Sequence, residues 1–349
     1  MFMTKPKIFL ITHNYPRHEG DNAGIFVKNL VNDLSDHFDF TISHIYYGGL
    51  MKDLFKNPLN WPKLADYYRK SMSKAKCELK CHKHHLIWAH WWLPGGIIGA
   101  KLSQQSGHPL MVTMHGTDAA MLKTLPILKP VANNVFKRAE IVNTVSHYLA
   151  SFTTPKAKIA NMPFDPKVFF ISNTQRDDKL IICPARLDRG KNVDLLVRAV
   201  KQVPELRLKI FGEGPQREHI VRLIDNDSGI EIHDYIPQKQ LAEEFRNAGV
   251  VALPSSVEGF GLVLAEGAAC GCYPVATHAA SMIEIVEQIG GQLFKLDRNA
   301  DGIKAALENY LRSLPVDREK ISENASVFGK EVIIPRFIDM INSAIKKPA

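Results

Sequence analysis

Short apolar runs alternate with amphipathic helical stretches along the chain, and this alternation constrains the fold more than any other feature. Residues 8–12 are one such run. Residues 24–34 follow with a stripe at Ile25, Phe26, Leu30, Val31 and Leu34. That spacing predicts a strand and then a helix. Strands are predicted again at 86–90, 110–114 and 141–145, and a helix over 94–102. Residues 153–172 break the rhythm, being irregular and punctuated by proline. The alternation then restarts, with strands predicted at 180–183, 206–211, 230–233, 250–253, 273–276 and 292–294. The last stretch, 329–345, reads as one amphipathic helix. Two consecutive sets imply an α/β protein of two doubly wound domains facing a cleft, each with a mainly parallel sheet. The first is expected over 1–165, rejoined by a C-terminal helix at 329–349, and the second over 166–328.

The length of 349 residues suits two domains. Hydrophobic residues at 45% and charged residues at 23% exclude disordered, collagen-like and coiled-coil chains. No apolar run approaches the roughly 18–20 residues of a membrane span. The first residues read as a strand, not as a signal peptide. Five cysteines, an odd and sparse set, point to a reducing cytoplasm. Charge is lopsided. Residues 1–165 carry 20 Lys and Arg against 11 Asp and Glu, while the rest carries 24 against 25. A basic first half implies an anionic partner there, or else is only a solvated surface.

In open α/β sheets, ligands bind beyond the carboxyl ends of the strands. The residues after each predicted strand are therefore the candidates. After 250–253 comes Glu258-Gly259-Phe260-Gly261-Leu262-Val263, and Glu266 follows inside an almost wholly apolar helix. A buried carboxylate needs hydrogen-bond donors, which ligand hydroxyls, an arginine or a backbone N–H would supply. Gly259 and Gly261 let the backbone approach a ligand, and the helix start offers unpaired N–H groups to an anion. After 180–183 come Arg186 and Lys191, a pair that can clamp a diphosphate or simply flank a surface turn. Gly212-Glu-Gly-Pro215 follows 206–211, and Asp234–Pro237, with Tyr235 and Ile236, follows 230–233.

In the first half, Gly20 and Gly24 lie in the loop after 8–12, with Gly24 opening a helix. His90, followed by Trp91 and Trp92, ends the 86–90 run, and His115-Gly-Thr-Asp118 follows 110–114. Cys77, Cys81, His82, His84 and His85 are too compact a run to converge on one tetrahedral zinc. Residues 52–83 hold nine Lys and Arg and three acids, interleaved with Leu54, Phe55, Trp61, Tyr67 and Tyr68. That pattern suits an interfacial segment on anionic lipid or a solvated helix. No nucleic-acid motif accompanies it.

The run from Glu258 to Glu266, with Pro254-Ser255 before it and Cys270-Gly-Cys-Tyr-Pro-Val275 after it, resembles retaining glycosyltransferases of family 4. These are the glycosyl transferases group 1, of GT-B fold with two Rossmann-like domains. The resemblance covers nearly the whole chain. It implies that Glu258 contacts the donor sugar hydroxyls, and that Glu266 holds the ribose. Amides at Gly261, Leu262 and Val263 hold the β-phosphate, with Gly259 and Phe260 in the same donor loop. Arg186 and Lys191 carry over as the diphosphate clamp, and Gly212 and Ile236 border the nucleotide. Gly24 carries over as a donor-side glycine. His115 faces the donor sugar, so His115, Arg186, Lys191 and Glu258 are the expected catalytic set. Gly20, His90 and Asp118 are the weaker, acceptor-side set.

The implied activity is retaining hexosyl transfer from a nucleotide diphosphate sugar, a UDP-sugar first and a GDP- or ADP-sugar otherwise. No metal and no other cofactor is expected. The acceptor is a glycan or lipid-linked glycan in envelope polysaccharide or lipopolysaccharide assembly. The chain would be cytoplasmic, peripheral on the inner face of an anionic membrane, and would not bind nucleic acid. A nucleotide-sugar epimerase on the same fold and a non-catalytic nucleotide-sugar-binding subunit are the alternatives. Two stretches depart from the family. Met162-Pro-Phe-Asp165 keeps only the aspartate of Asn-Gly-Val-Asp, and Ala280-Ser-Met-Ile-Glu284 stands where Gly-Gly-x-Pro-Glu is usual. The backbone near 280–281 is expected to approach a ligand less closely.

Overall fold

The computed structural model describes residues 5–18, 20–46, 60–154, 156–173 and 175–346. Two compact units divide the chain: Met1–Met162 with Ile333–Ala349, and Pro163–Val332. The sequence puts the boundary at 165 and the return at 329. The structure assigns Phe164 and Asp165 to the second unit, where Asp165 pairs with Lys330 at 2.7 Å, and begins the return at Ile333.

The first unit holds β1 (Lys7–Thr12), β2 (Asp39–His44), β3 (Leu86–His90), β4 (Leu110–Met114), β5 (Ile141–Thr144) and β6 (Lys158–Ile159). Their order is β2-β1-β3-β4-β5-β6, with every described pairing parallel. The second unit holds β7 (Asp177–Pro184), β8 (Arg207–Phe211), β9 (Ile230–His233), β10 (Ala248–Leu253), β11 (Tyr273–Thr277) and β12 (Gln292–Phe294). Their order is β12-β11-β10-β7-β8-β9, again all parallel. Both are doubly wound orders, with a switch point between β1 and β3 and another between β7 and β10.

Central strands β3, β4 and β10 are buried at every position, which is why they read as mainly apolar runs, and their polar members Thr113 and His90 are hydrogen-bonded. Edge strand β2, Asp-Phe-Thr-Ile-Ser-His, is half-buried and mixed in polarity, so no apolar run announces it. The helix Ile25–Leu34 buries Val27, Leu30, Val31 and Leu34, and Val193–Val200 buries Val193, Leu196 and Val197 against the second sheet. Hydrophobic burial of these stripes, not helix propensity, holds the layers together.

One helix starts later than its sequence predicts. Residues 92–96 form a wide turn, and the regular helix is Ile97–Ser106. Trp91 takes a positive φ of 63°, Leu93 is extended, and Pro94 has no N–H to give. A Cβ on Gly95 would lie 2.6 Å from the His90 carbonyl, so the turn is packed too closely for other residues. The basic stretch folds as the helix Trp61–Lys80, which buries Tyr67, Ser71, Ala75 and Leu79. Residues 52–59, including Leu54 and Phe55, lie outside the described residues. Among the described residues no helix is long and apolar enough to cross a membrane.

The last helix, Lys330–Lys346, buries Ile333, Phe337, Met340 and Ile341. Phe337 is fully buried and packs beside Trp88 of β3, ring centroids 5.8 Å apart. Phe337→Ala is expected to cost the first unit about 3–5 kcal/mol through the cavity it leaves. Denaturant unfolding should show the first unit's transition moving while that of the second stays in place. Movement of both together would mean that the two units do not unfold as separate bodies.

Candidate active site

In the second unit the loops after β7 and β10 meet at the switch point. Asp188 shapes the first loop. Its side chain accepts from the Gly190 N–H at 3.1 Å and pairs with Arg186 at 2.8 Å, leaving the Arg186 side chain 59% exposed. Lys191 Nζ donates to Glu258 Oε1 at 2.5 Å, and both side chains are half-buried. Asn192 sits at φ 49°, a conformation asparagine tolerates better than most residues. Its Nδ2 donates to the Pro254 carbonyl at 2.8 Å and to Ser256 Oγ at 2.9 Å. The Ser256 N–H returns a bond to the Gly190 carbonyl at 2.9 Å. The two loops are thus laced together from both sides.

Gly261, at φ 88°, opens the helix Leu262–Ala269, and no side chain caps it. The first N–H groups of a helix have no partner within it, so this end suits an anion. Glu266 lies inside that helix and is buried. Its partner is neither an arginine nor a backbone N–H: Gln238 Nε2 donates to Oε1 at 3.1 Å. Burial pushes the Glu266 carboxyl up to about 7. Tyr235 is raised by burial and then by the neighbouring Glu266 charge. Tyr235 and Ile236 line a pocket of about 550 Å³ with Phe211, His233 and Gln240. Gly212 is fixed by packing, since a Cβ there would fall 2.0 Å from the Ala185 carbonyl.

At the 280–281 departure, side chains stand where the family usually has glycines. Ala280 adopts φ 52°, the conformation a glycine would take with less strain. Ser281 Oγ lies within hydrogen-bond distance of two carbonyls, Glu258 at 3.1 Å and Phe260 at 3.0 Å. A glycine could not tie the donor loop in this way. Asp188, Asn192, Gln238 and Ser281 are the site residues that sequence reasoning missed. Of these, Asn192 had a local signal in standing directly after Lys191, and Ser281 in lying within the 280–284 departure.

In the first unit the loops after β1, β3 and β4 bring four aromatic rings and Asp118 together. His90 is fully buried, and its Nδ1 lies 2.8 Å from His115 Nε2, with the rings stacked at 4.9 Å. Trp91 packs on His115 at 4.4 Å and on His13 at 4.6 Å. Burial, then His13, holds His90 down to about 3, and burial, then His90 and His13, holds His115 well below the usual range. Both rings are therefore neutral at neutral pH. His90 Nε2 is buried with no partner, so a proton there would be an unmade donor. The proton belongs on Nδ1, donated to His115 Nε2, and His115 then carries its own proton on Nδ1.

Asp118 is buried, and its oxygens accept four backbone N–H groups: Trp92 at 3.3 Å, His115 at 3.2 Å, Gly116 at 2.9 Å and Ala119 at 3.1 Å. Burial still raises it to about 6. Gly24, at φ 67°, allows the loop to cross it, because a Cβ would sit 2.1 Å from the Asn14 carbonyl. Gly20 has a positive φ of 86° and nothing near its Cβ position. Cys77 and Cys81 are exposed and unpaired, while His84 lies 3.0 Å from Thr41 Oγ1. Among the described residues no group of three or more His, Cys, Asp or Glu could hold a metal ion.

The unfolded chain gives up the Glu266 proton near the ordinary 4.5, and the folded chain only near 7. Stability therefore falls as pH rises through that window. Glu266→Gln keeps an acceptor for Gln238 and removes the titration. It is expected to be near neutral at about pH 4 and to add about 2–3 kcal/mol above about pH 8. Urea unfolding across pH checks this, and a gain independent of pH would place the Glu266 titration outside this window.

Residues 164–327 match the family described as glycosyl transferases group 1. An uncharacterized glycosyltransferase of Methanocaldococcus jannaschii is 24% identical over 338 residues, covering 93% of each chain. A GDP-mannose-dependent alpha-(1-6)-phosphatidylinositol monomannoside mannosyltransferase of Mycolicibacterium smegmatis is 26% identical over 245 residues, 61% of this chain and 64% of its own. Among solved structures, sucrose-phosphate synthase from Thermosynechococcus elongatus aligns at a TM-score of 0.80 and 20% identity, over 97% of this chain and 98% of that one. Anabaena HepE in complex with UDP-glucose aligns at 0.72 and 19% identity, over 97% and 99%. The fold is GT-B, the second unit belongs to the glycosyl transferases group 1, and the chain is a glycosyltransferase.

Proposed function

We propose that the chain moves a hexose-type sugar from a nucleotide diphosphate sugar to an acceptor hydroxyl, with retention of configuration and without a metal. The observation that carries this is the Lys191–Glu258 contact beside the helix start at Leu262. It puts a cation, a carboxylate and free N–H groups within one loop pair, which is what a sugar joined to a diphosphate requires. On this reading the second unit binds the donor and the first unit the acceptor. Glu258 accepts from sugar hydroxyls, Glu266 from ribose hydroxyls, and the amides of Gly261, Leu262 and Val263 hold phosphate oxygens. The base lies along Tyr235 and Ile236. His115 offers its Nδ1 proton to a sugar hydroxyl, positioned by His90 and by the Asp118 clamp.

As the bond from sugar C1 to the diphosphate oxygen breaks, negative charge grows on the diphosphate. Arg186, Lys191 and the helix start stabilise it, which is the role a metal fills in other transferases. The acceptor oxygen bonds to C1 on the same face, and its proton passes to a donor phosphate oxygen. A UDP-sugar is the first donor to try, since HepE is solved with UDP-glucose. GDP- and ADP-sugars come next, since the mycobacterial relative is named for GDP-mannose. The acceptor we favour is a lipid-linked glycan at the cytoplasmic face of an anionic membrane, in envelope polysaccharide or lipopolysaccharide assembly. The basic first half and the phosphatidylinositol mannoside in that relative's name support it.

Calorimetry with a panel of nucleotide sugars, chelator present, is the direct test. One donor should bind, and Arg186→Ala should weaken it. Turnover should fall about 10²–10³-fold in both Arg186→Ala and Lys191→Ala. NMR of the product should show the donor's anomeric configuration. Wild-type turnover in both variants would remove these residues from the reaction. Isomerised sugar formed from donor alone would identify an epimerase, and donor binding without turnover on any lipid-linked acceptor a binding subunit.

A further inference from the structure

The first unit carries an apolar groove that the transfer reaction does not use. The helix Trp61–Lys80 has two faces. Tyr67, Ser71, Ala75 and Leu79 are buried, while Trp61, Leu64 and Tyr68 lie along a second side whose groove Tyr67 also lines. That second side forms a groove of about 430 Å³ with Pro94, Ile97 and Val131 among its walls. Trp61 is 59% exposed and Val131 42%, and Ile127, in the turn beside the groove, is 82% exposed. Three large exposed hydrophobic side chains line it, Trp61, Tyr68 and Val131, and Leu125 and Ile127 are exposed in the segment just before its Leu128 wall. Such a concentration on a soluble surface marks a binding face.

Chemistry narrows the occupant. The walls offer almost no hydrogen-bond partners, so burying sugar hydroxyls there would cost free energy. The chain beside the lining is basic: Lys63 and Lys129 are exposed and directly adjoin the lining residues Leu64 and Leu128. The nearby Asp66 already pairs with Arg69 at 2.8 Å and Lys70 at 2.7 Å. An apolar slot with a cationic rim complements an amphiphile with an anionic head. A second copy of the chain would bring the same lysines face to face, and like charges oppose that pairing. We infer that this groove takes a hydrocarbon chain of an anionic bilayer lipid and seats the first unit on the membrane. The inference rests on the membrane-side acceptor proposed above and gives that membrane a specific contact.

Partition into vesicles tests it without donor or turnover, so its failure leaves the transfer reaction to the calorimetric test. Vesicles of phosphatidylcholine alone are compared with phosphatidylcholine mixed with phosphatidylglycerol. The wild type should partition into the mixed vesicles. Lipids brominated on the acyl chains should then quench its tryptophan emission. Trp61, exposed at the groove, and Trp92, buried in its wall, are the reporters, while Trp88 and Trp91 are buried and do not line it. Trp61→Ser and Val131→Glu should each weaken partition about tenfold or more. Lys63→Glu with Lys129→Glu should weaken it roughly tenfold and erase the preference for phosphatidylglycerol. Nucleotide-sugar binding should be unchanged in all three, which also shows that they fold. Equal partition by wild type and Trp61→Ser would overturn the inference. So would partition without quenching, which would mean headgroup attraction alone. A dimer in light scattering that Val131→Glu dissolves, with no vesicle binding, would assign the groove to a second copy instead.

Discussion

A doubly wound sheet has one place where neighbouring strands send their connections to opposite faces, and there the loops at the carboxyl edge part. Everything chemical in the second unit depends on that place. β7 and β10 are adjacent in the sheet although distant in the chain. Lys191 and Glu258 therefore meet from loops that are far apart in sequence. Their ion pair is half-buried, so its contribution to stability is modest. Its larger effect is positional. Each charge is held where the other needs it, and a ligand that separates them must offer both an anion for the lysine and donors for the carboxylate. Leaving either one half-buried and unpaired would be unfavourable. A sugar diphosphate offers both.

The first unit answers the same geometry with different chemistry. At its switch point, between β1 and β3, the loop after β1 carries the Arg17–Asp21 ion pair at 2.7 Å, but among the described residues the buried ring cluster holds none. Neutral imidazoles stack there instead, and the one carboxylate, Asp118, is taken up by four backbone N–H groups. A carboxylate has about four acceptor sites, so little of Asp118 remains for a ligand. Its role is to fix the backbone of His115 and Trp92 against each other. His90 then sets which nitrogen of His115 carries the proton. On the proposed reading His115 is the residue that meets a ligand here, and His90 and Asp118 act through it.

Much of this was legible in the sequence, for one physical reason. Strands buried on both faces are mostly apolar, and loops after them must be polar and glycine-rich if they bind anything. β3, β4 and β10 and the loop from Glu258 to Val263 are visible on that basis alone. Elements held by other means are not. β2 is an edge strand with a mixed face, and β6 has two residues. Gln238 is a common residue on a surface helix, and only the fold brings it to Glu266. Ser281 looked like a lost glycine. Sequence pattern marks where the backbone strains, but not that a hydroxyl there would bridge two carbonyls in exchange.

The helix Trp61–Lys80 shows where hydrophobicity as a guide to burial stops. Its side with Trp61, Leu64 and Tyr68 carries the bulkier apolar residues. The structure buries Tyr67, Ser71, Ala75 and Leu79 instead, where serine and alanine let the helix lie close to β2. Tyr67 secures that docking through its hydroxyl, which donates to the Ile45 carbonyl at 2.6 Å. Small residues at a packed face buy close approach, and large ones elsewhere on the same helix are then left with no protein to cover them. Aromatic side chains kept in water at such a position cost solubility without adding to the core. On the inference drawn above, that side of the helix, with exposed lysines beside it in the chain, is covered by the apolar phase of an anionic membrane.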